Sequence, residues 1–231
     1  MYKIIPFIVH ALYNFCTVDL SAFYLDVLKD RLYTSPAGSP ERRSAQTVMY
    51  AVLDALVRIM APILPFTAEE IWRYMPAVKE KEASIHLALY PAVKPEWMDS
   101  ALAEEWQSLL AVRGEVTRAL EEARAQKQIG HPLDARVMIS AGDVLYRLLL
   151  SYQEDLKPLF IVSQVILLES RRPLSSAYIS QEIPGLSIQV SPAEGAKCER
   201  CWVYDPGVGS HPEHATLCPR CLNAIEATVP A

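Results

Sequence analysis

Apolar side chains recur at helical spacing through the first part of the chain. Leu20, Phe23, Tyr24, Val27, Leu28 and Leu32 follow one another at short steps that include several of three and four. That stripe predicts a helix with one buried face, with Asp26, Lys29 and Asp30 on its wet side. Ser35-Pro36-Ala37-Gly38-Ser39 interrupts the pattern as a loop. Ser39 is placed to cap the next helix, with Pro40 in its first position. Val48, Val52, Leu56 and Ile59 carry that helix towards Pro62. Thr67-Ala68-Glu69-Glu70 has the spacing of a capping box. It predicts a short helix starting there, with Ile71, Trp72 and Met75 on it and Pro76 after its end. Glu69 and Glu70 then serve the helix start and are not a catalytic pair. Residues 1–90 are therefore expected to form an antiparallel helical bundle.

The pattern changes over residues 91–190. Leu102, Trp106, Leu109, Leu110, Val116 and Leu120 predict a long helix from about Asp99 to Gln128, stopped at Gly130. Short β-like runs follow at Ala135–Ile139, Ile161–Leu168 and Leu186–Val190, with a helical stretch at Val144–Tyr152. Helices packed on a short sheet, a small α+β unit, are the expected outcome. Residues 191–231 are rich in Cys, Gly, Pro and His and poor in aliphatics. A segment so small cannot bury enough apolar surface to fold without a staple. The expected fold class is thus mainly α with a smaller α+β part and a four-cysteine zinc finger at the end.

Composition narrows the setting. About half of the 231 residues are hydrophobic, enough for a core. The most apolar stretch, Val52 to Phe66, is interrupted by Asp54, Arg58, Pro62 and Pro65, so no membrane span is expected. Met1-Tyr2-Lys3-Ile4-Ile5-Pro6-Phe7 lacks the long apolar segment and small-residue cleavage site of a secretory signal, which favours the cytoplasm. The net charge is −5, which argues against nonspecific nucleic-acid binding by bulk charge. RNA recognition through shape, stacking and a few placed cations remains open.

Four of the five cysteines fall in two pairs: Cys198-x-x-Cys201 and, sixteen residues on, Cys218-x-x-Cys221. A gap of two lets both thiolates of one turn face one metal, and the loop between returns the second pair. The expected site is a tetrahedral, structural Zn2+ with Zn–S near ~2.3 Å. All its positions are filled by sulfur, which leaves no place for an activated water. Such an ion stabilises the segment by roughly 10 kcal/mol or more. The competing readings are an iron centre, two disulfides, or His211 or His214 in place of a cysteine. Cys16, far from the others in an apolar stretch, reads as a buried core thiol. Trp202 is either a small-domain core residue or an exposed platform for base stacking. Arg200 and Arg220, each inside a Cys-x-x-Cys turn, either offset the charge of the thiolates, contact phosphate, or are solvated surface.

Lys197-Cys198-Glu199-Arg200-Cys201-Trp202, with Val208-Gly209, His214 and Leu217-Cys218-Pro219-Arg220-Cys221, resembles the C-terminal zinc peptide of bacterial isoleucyl-tRNA synthetases, a class I family. Asn14-Phe15-Cys16, Asp19-Leu20-Ser21-Ala22-Phe23-Tyr24, Lys29-Asp30-Arg31-Leu32-Tyr33 and Met60 to Trp72 resemble the anticodon-binding helical domain of the same enzymes. Ala123 to Gly130 and Leu159-Phe160-Ile161-Val162-Ser163-Gln164-Val165 match further stretches, in the family's order. The resemblance implies an anticodon-binding bundle at 1–90, a junction unit at 91–190 and a zinc finger at 191–231. It implies tRNA-Ile as partner and a monomer that lies off the membrane. Trp202, Arg200, Lys127, Arg124, Arg31 and Lys29 become candidate tRNA contacts. The family's ATP-binding His-x-Gly-His and Lys-Met-Ser-Lys-Ser motifs and its editing insert are absent from this sequence. A fragment that does not aminoacylate tRNA alone is therefore expected, with ATP belonging to the missing catalytic domain. The rival functions are a zinc-stapled protein-interaction module and a redox or metal-sensing protein.

Overall fold

A computed structural model describes residues 4–78, 81–169 and 174–227. The chain divides into two compact units, residues 37–99 and residues 1–36 with 100–231. The smaller unit contains helices α3 (Pro40–Met60) and α4 (Pro65–Tyr74). Ser39 caps α3 as its sequence predicts, its Oγ accepting from the Arg42 N–H at 3.3 Å. Val57, Ala61, Ala68, Trp72, Met75 and Ile85 form the core of this unit. The buried Trp72 indole donates to the Glu82 carbonyl at 2.8 Å. The Arg58 guanidinium and the Lys81 ammonium lie 5.2 and 5.0 Å from its ring centroid.

The capping box expected at Thr67 does not form. Helix α4 begins at Pro65, whose missing N–H costs nothing in the first turn, so Thr67 and Glu70 lie too far inside to cap. Glu69 has another task. Its Oε2 accepts from the Ser84 hydroxyl at 2.8 Å and the Ile85 N–H at 3.1 Å, holding the loop after α4 against the helix.

The larger unit opens with one continuous helical run: α1 (Ile4–Asn14), a π-helical stretch (Phe15–Leu25) and α2 (Asp26–Thr34). Pro6–Thr34 is long and apolar enough, by length and composition alone, to cross a bilayer, unlike the expectation from sequence. Asp19 and the charges from Asp26 to Arg31 interrupt it, and such charges are costly at mid-bilayer depth. The π stretch buries none of its side chains, so Cys16 is half-buried rather than the core thiol expected.

The remainder is the α+β part. Its elements are α5 (Ser100–Ala125), β1 (Ala135–Ala141), α6 (Asp143–Ser151), α7 (Gln153–Phe160), β2 (Gln164–Glu169), β3 (Tyr178–Ile179) and β4 (Ser187–Pro192). The sheet has the order β2-β1-β4-β3. Strands β1 and β2 are parallel, with Val137 opposite Val165, and α6 and α7 supply the crossover that parallel strands require. Strand β4 runs antiparallel to both β1 and β3. Leu109, Val112, Val116 and Leu120 of α5 meet Val137, Ile139 and Ile188 of the sheet and Leu149, Leu156 and Phe160 of the crossover helices in one core.

Helix α5 ends before Gly130. Lys127 takes the left-handed conformation (φ 59°), and the N–H groups of Lys127 and Gln128 return to the carbonyls of Arg124 and Ala123. That is a Schellman end with lysine where glycine is usual. Ile161 closes α7 in the same manner (φ 56°), which delays the next strand to Gln164 and divides the expected run at Ile161–Leu168. Glu115, on the buried face of α5 and 1% exposed, accepts from Arg118 Nη1 at 2.5 Å and from the Tyr178 hydroxyl at 3.1 Å. This buried carboxylate holds β3 to the helix.

Candidate metal centre and nucleic-acid interface

The last described segment is built on a two-strand hairpin, β5 (Ala196–Lys197) and β6 (Tyr204–Asp205), followed by helix α8 (Pro219–Glu226). Gly195 enters the hairpin at φ 94°, where a Cβ would lie 2.4 Å from the Asp205 carbonyl carbon. Only glycine fits there. Cys198 and Cys201 occupy the turn between the strands, closed by the Trp202 N–H donating to the Cys198 carbonyl at 2.8 Å. Cys218 is the N-cap residue of α8, Pro219 fills the first position and Cys221 lies in the first turn. The second knuckle is thus held by the start of a helix.

All four sulfurs lie within 4.8 Å of one another. Cys201 and Cys218 are 3.8 Å apart, matching the edge of about 3.8 Å that a tetrahedron with ~2.3 Å Zn–S arms requires. All five cysteines are free, and sulfurs this far apart are not disulfides. The cluster contains no histidine; His211 and His214 stack on each other, centroids 5.6 Å apart.

Burial pushes the thiols of Cys201 and Cys221 up. At Cys198 burial pushes the same way, but backbone N–H groups from Cys201, Cys218 and Arg200 outweigh it and bring the thiol down to about 6. The Cys218 N–H lies 3.3 Å from the Cys198 sulfur. Donors aimed at sulfur suit thiolate ligands, so the set fits a soft divalent ion.

The two knuckle arginines surround the cluster crosswise. Arg200, in the first knuckle, places Nη1 3.6 Å from Cys221 of the second and donates to the Thr34 carbonyl at 2.6 Å. Arg220, in the second, favours the Cys201 thiolate of the first by its charge and grips Asp30 with both Nη atoms, Nη2 to Oδ1 at 2.7 Å. Four thiolates around a divalent ion leave two surplus negative charges, and these two guanidinium groups offset them. Charge offset is thus one role that the structure gives both arginines. Asp30, placed on the wet side of α2 by the stripe, is half-buried and paired with Arg220. Burial raises its carboxyl, but Arg220 and the Thr34 hydroxyl hold it below the ordinary carboxylate range.

Ser163 and Gln164 hold the other side of the zinc segment. The Ser163 hydroxyl donates to the Leu133 carbonyl at 2.5 Å and accepts from the Tyr204 N–H at 2.8 Å. The Gln164 amide exchanges two hydrogen bonds with the Glu194 backbone, at 2.9 and 3.0 Å, and Arg136 pairs with the Glu194 carboxylate. Sequence reasoning marked this stretch by resemblance but missed its task, because both partners are remote backbone groups.

Trp202 is 60% exposed at φ 65°, with the Lys197 ammonium 5.7 Å from its ring centroid. The exposed reading thus replaces the core reading. The other candidate cations lie apart from the sulfurs. Lys29 pairs with Asp26 at 2.6 Å, and Arg124 with Glu121 at 3.0 Å. Arg31 reaches Asp155 of α7 at 3.6 Å, not a neighbour on its own helix. Lys127 makes no ion pair among the described residues.

Residues 7–139 match the family described as "Anticodon-binding domain of tRNA ligase", and residues 195–224 match "Zinc finger found in FPG and IleRS". The chain is 52% identical over 218 residues to the isoleucine–tRNA ligase of Geobacter sulfurreducens and 50% identical to that of Desulforamulus reducens. The isoleucine–tRNA ligase of Moorella thermoacetica is 45% identical. Each comparison covers 94% of this chain and 23% of the relative, so the chain spans about a quarter of the length of these proteins. The zinc-finger match and the four-cysteine cluster together support one structural zinc ion.

Proposed function

Because this chain belongs to the family of anticodon-binding domains of tRNA ligases, we propose that it grips the anticodon arm of tRNA-Ile as part of an isoleucine–tRNA ligase. The observation that carries the reading is Trp202. Its indole is exposed next to the ligand Cys201, on a left-handed backbone, and is not part of the small core of Cys198, Cys218 and Cys221. Splayed anticodon bases are read by stacking and by their edges, which needs such platforms more than bulk positive charge. That accords with a chain of net charge −5. Lys29, Arg31, Arg124, Lys127 and Arg200 are the proposed cations for the RNA backbone. Arg200 uses one nitrogen, Nη1, for Thr34 and the Cys221 sulfur, and its remaining N–H groups are proposed for phosphate. Residues 1–90 are proposed as the anticodon-binding part, 91–190 as the junction and 191–231 as the zinc finger, in a cytoplasmic monomer that does not enter a membrane.

The test is a titration of the zinc-loaded chain with the anticodon stem-loop of tRNA-Ile and with stem-loops of unrelated tRNAs. Trp202→Ala should weaken the cognate interaction by about 1–3 kcal/mol, roughly 5- to 150-fold. Binding should also fall with salt. Equal affinity for all stem-loops, or none for any, would replace this reading with a zinc-stapled protein-interaction module.

A further inference from the structure

The metal cluster has a second layer of support that arrives from far away in the chain. Asp30 and Thr34 lie on the last turn of α2, where the final carbonyls of a helix lack partners within it. Arg200 satisfies one of them, the Thr34 carbonyl, which is 166 positions away in sequence. Arg220 takes the Asp30 carboxylate through both oxygens across 190 positions. The Thr34 hydroxyl lies 2.7 Å from the Asp30 carbonyl oxygen and 2.9 Å from Asp30 Oδ1 and shares its proton between them, which restrains the carboxylate. Each arginine belongs to one Cys-x-x-Cys turn, and Arg200 also touches a sulfur of the other. Shifting Arg200 therefore disturbs both turns, and shifting Arg220 disturbs the turn that carries Cys218 and Cys221.

We propose that Asp30 and Thr34 are positioning residues of the metal centre, so that zinc retention and the seating of the zinc segment on α2 form one linked equilibrium. Outer groups of this kind orient ligands and typically change metal affinity by about 10- to 100-fold when removed. Linkage makes the effect reciprocal: whatever loosens the Asp30 pair loosens the metal, and loss of metal loosens the end of α2. The consequence for RNA rests on the reading above. Lys29 and Arg31 flank Asp30, and Arg200 is two residues from Trp202, so the same pairs set the register between the helix cations and the stacking ring.

The test uses the full zinc-loaded chain without RNA. Zinc loss to excess chelator is followed for the wild type, Asp30→Asn, Arg220→Gln and the double variant, with Asp30→Glu as the conservative change and Glu121→Gln as a surface-charge control away from α2. Asp30→Asn should release zinc about 10-fold faster or more, within the range for such groups. Asp30→Glu should recover most of the loss, and Glu121→Gln should match the wild type. In the Arg220→Gln background Asp30→Asn should add little, since its partner is already gone. Wild-type retention in Asp30→Asn, or full additivity with Arg220→Gln, overturns the proposal. If Asp30→Asn does not fold, Thr34→Val, which removes the hydroxyl shared by the Asp30 carbonyl and carboxylate, serves as the milder variant. Hydrogen exchange on the wild type gives an independent measure. Stripping zinc should speed exchange in residues 26–36 while α5 is unchanged, and unchanged exchange in 26–36 overturns the linkage. Neither measurement involves RNA, so loss of the anticodon reading would leave both results standing.

Discussion

Of the four non-glycine residues with left-handed backbone conformations among the described residues, two are proposed to touch RNA. Lys127 ends α5 at φ 59° and Trp202 closes the first knuckle at φ 65°. A left-handed conformation costs a non-glycine residue roughly 1–2 kcal/mol. Lys127→Gly should therefore raise the thermal stability of the chain, by up to about 1 kcal/mol, and at the same time weaken stem-loop binding. Calorimetry and a binding titration on the same sample check both halves. A stabilised variant with unchanged affinity would remove Lys127 from the RNA-contact set. The four cysteines were legible in the sequence because a Cys-x-x-Cys turn is local, and spacing alone brings its two sulfurs to one side. Asp30 was not legible. Its position on a helical stripe reads as solvent-facing, and its true partner is 190 positions away. Trp202 could be read either way until the turn's φ was known.

At the level of elements, periodicity located α5, β1 and β4 well because each buries a full stripe or alternating face in one core. It failed where a single residue interrupts the pattern. Ile161 in a left-handed conformation separates α7 from β2, and a β-branched residue gives no sign of that in sequence. The Thr67 signal misled because Pro65, two residues earlier, had already started the helix. Glu69 is instead a brace for the 84–85 turn, with its carboxyl held low chiefly by the Ser84 hydroxyl. Glu69→Ala should loosen that turn while α4 persists, seen as faster amide exchange at Ile85 with unchanged helical content. The buried Glu115 gives a sharper case. Tyr178→Phe leaves one oxygen of a fully buried carboxylate without its hydroxyl donor, at a cost of about 1–3 kcal/mol. A urea titration should show that loss, with exchange rising first in β3. No change in the midpoint would mean that Arg118 alone satisfies the carboxylate.

For the molecule as a whole, the metal is the term that the aliphatic core cannot replace in the last segment, where the buried cluster consists of cysteines. Chelation of zinc should unfold residues 196–226 and abolish stem-loop binding, while the sheet core of α5, β1 and β4 keeps its far-ultraviolet signal. Acid acts on the same segment through a second route. The Asp30 carboxyl is depressed in the folded chain, so its contribution is complete above the unfolded value of about 3.9 and disappears as pH falls through the lower folded value. The stability gap between wild type and Asp30→Asn should therefore be constant near neutrality and narrow below pH ~4, measured as the difference in urea midpoint at each pH.

The pairing of Asp30 with Arg220 also imposes an order of events on folding. A contact that joins positions 190 residues apart closes a very long loop, and the entropy of that closure must be met before the contact contributes anything. The sheet that receives Tyr204 through Ser163 shortens the loop when it forms first. Metal capture would then be the closing event of assembly rather than its nucleus. Refolding started without zinc should proceed to a waiting intermediate with a finished sheet, and later addition of the ion should trigger a final phase that Asp30→Asn slows.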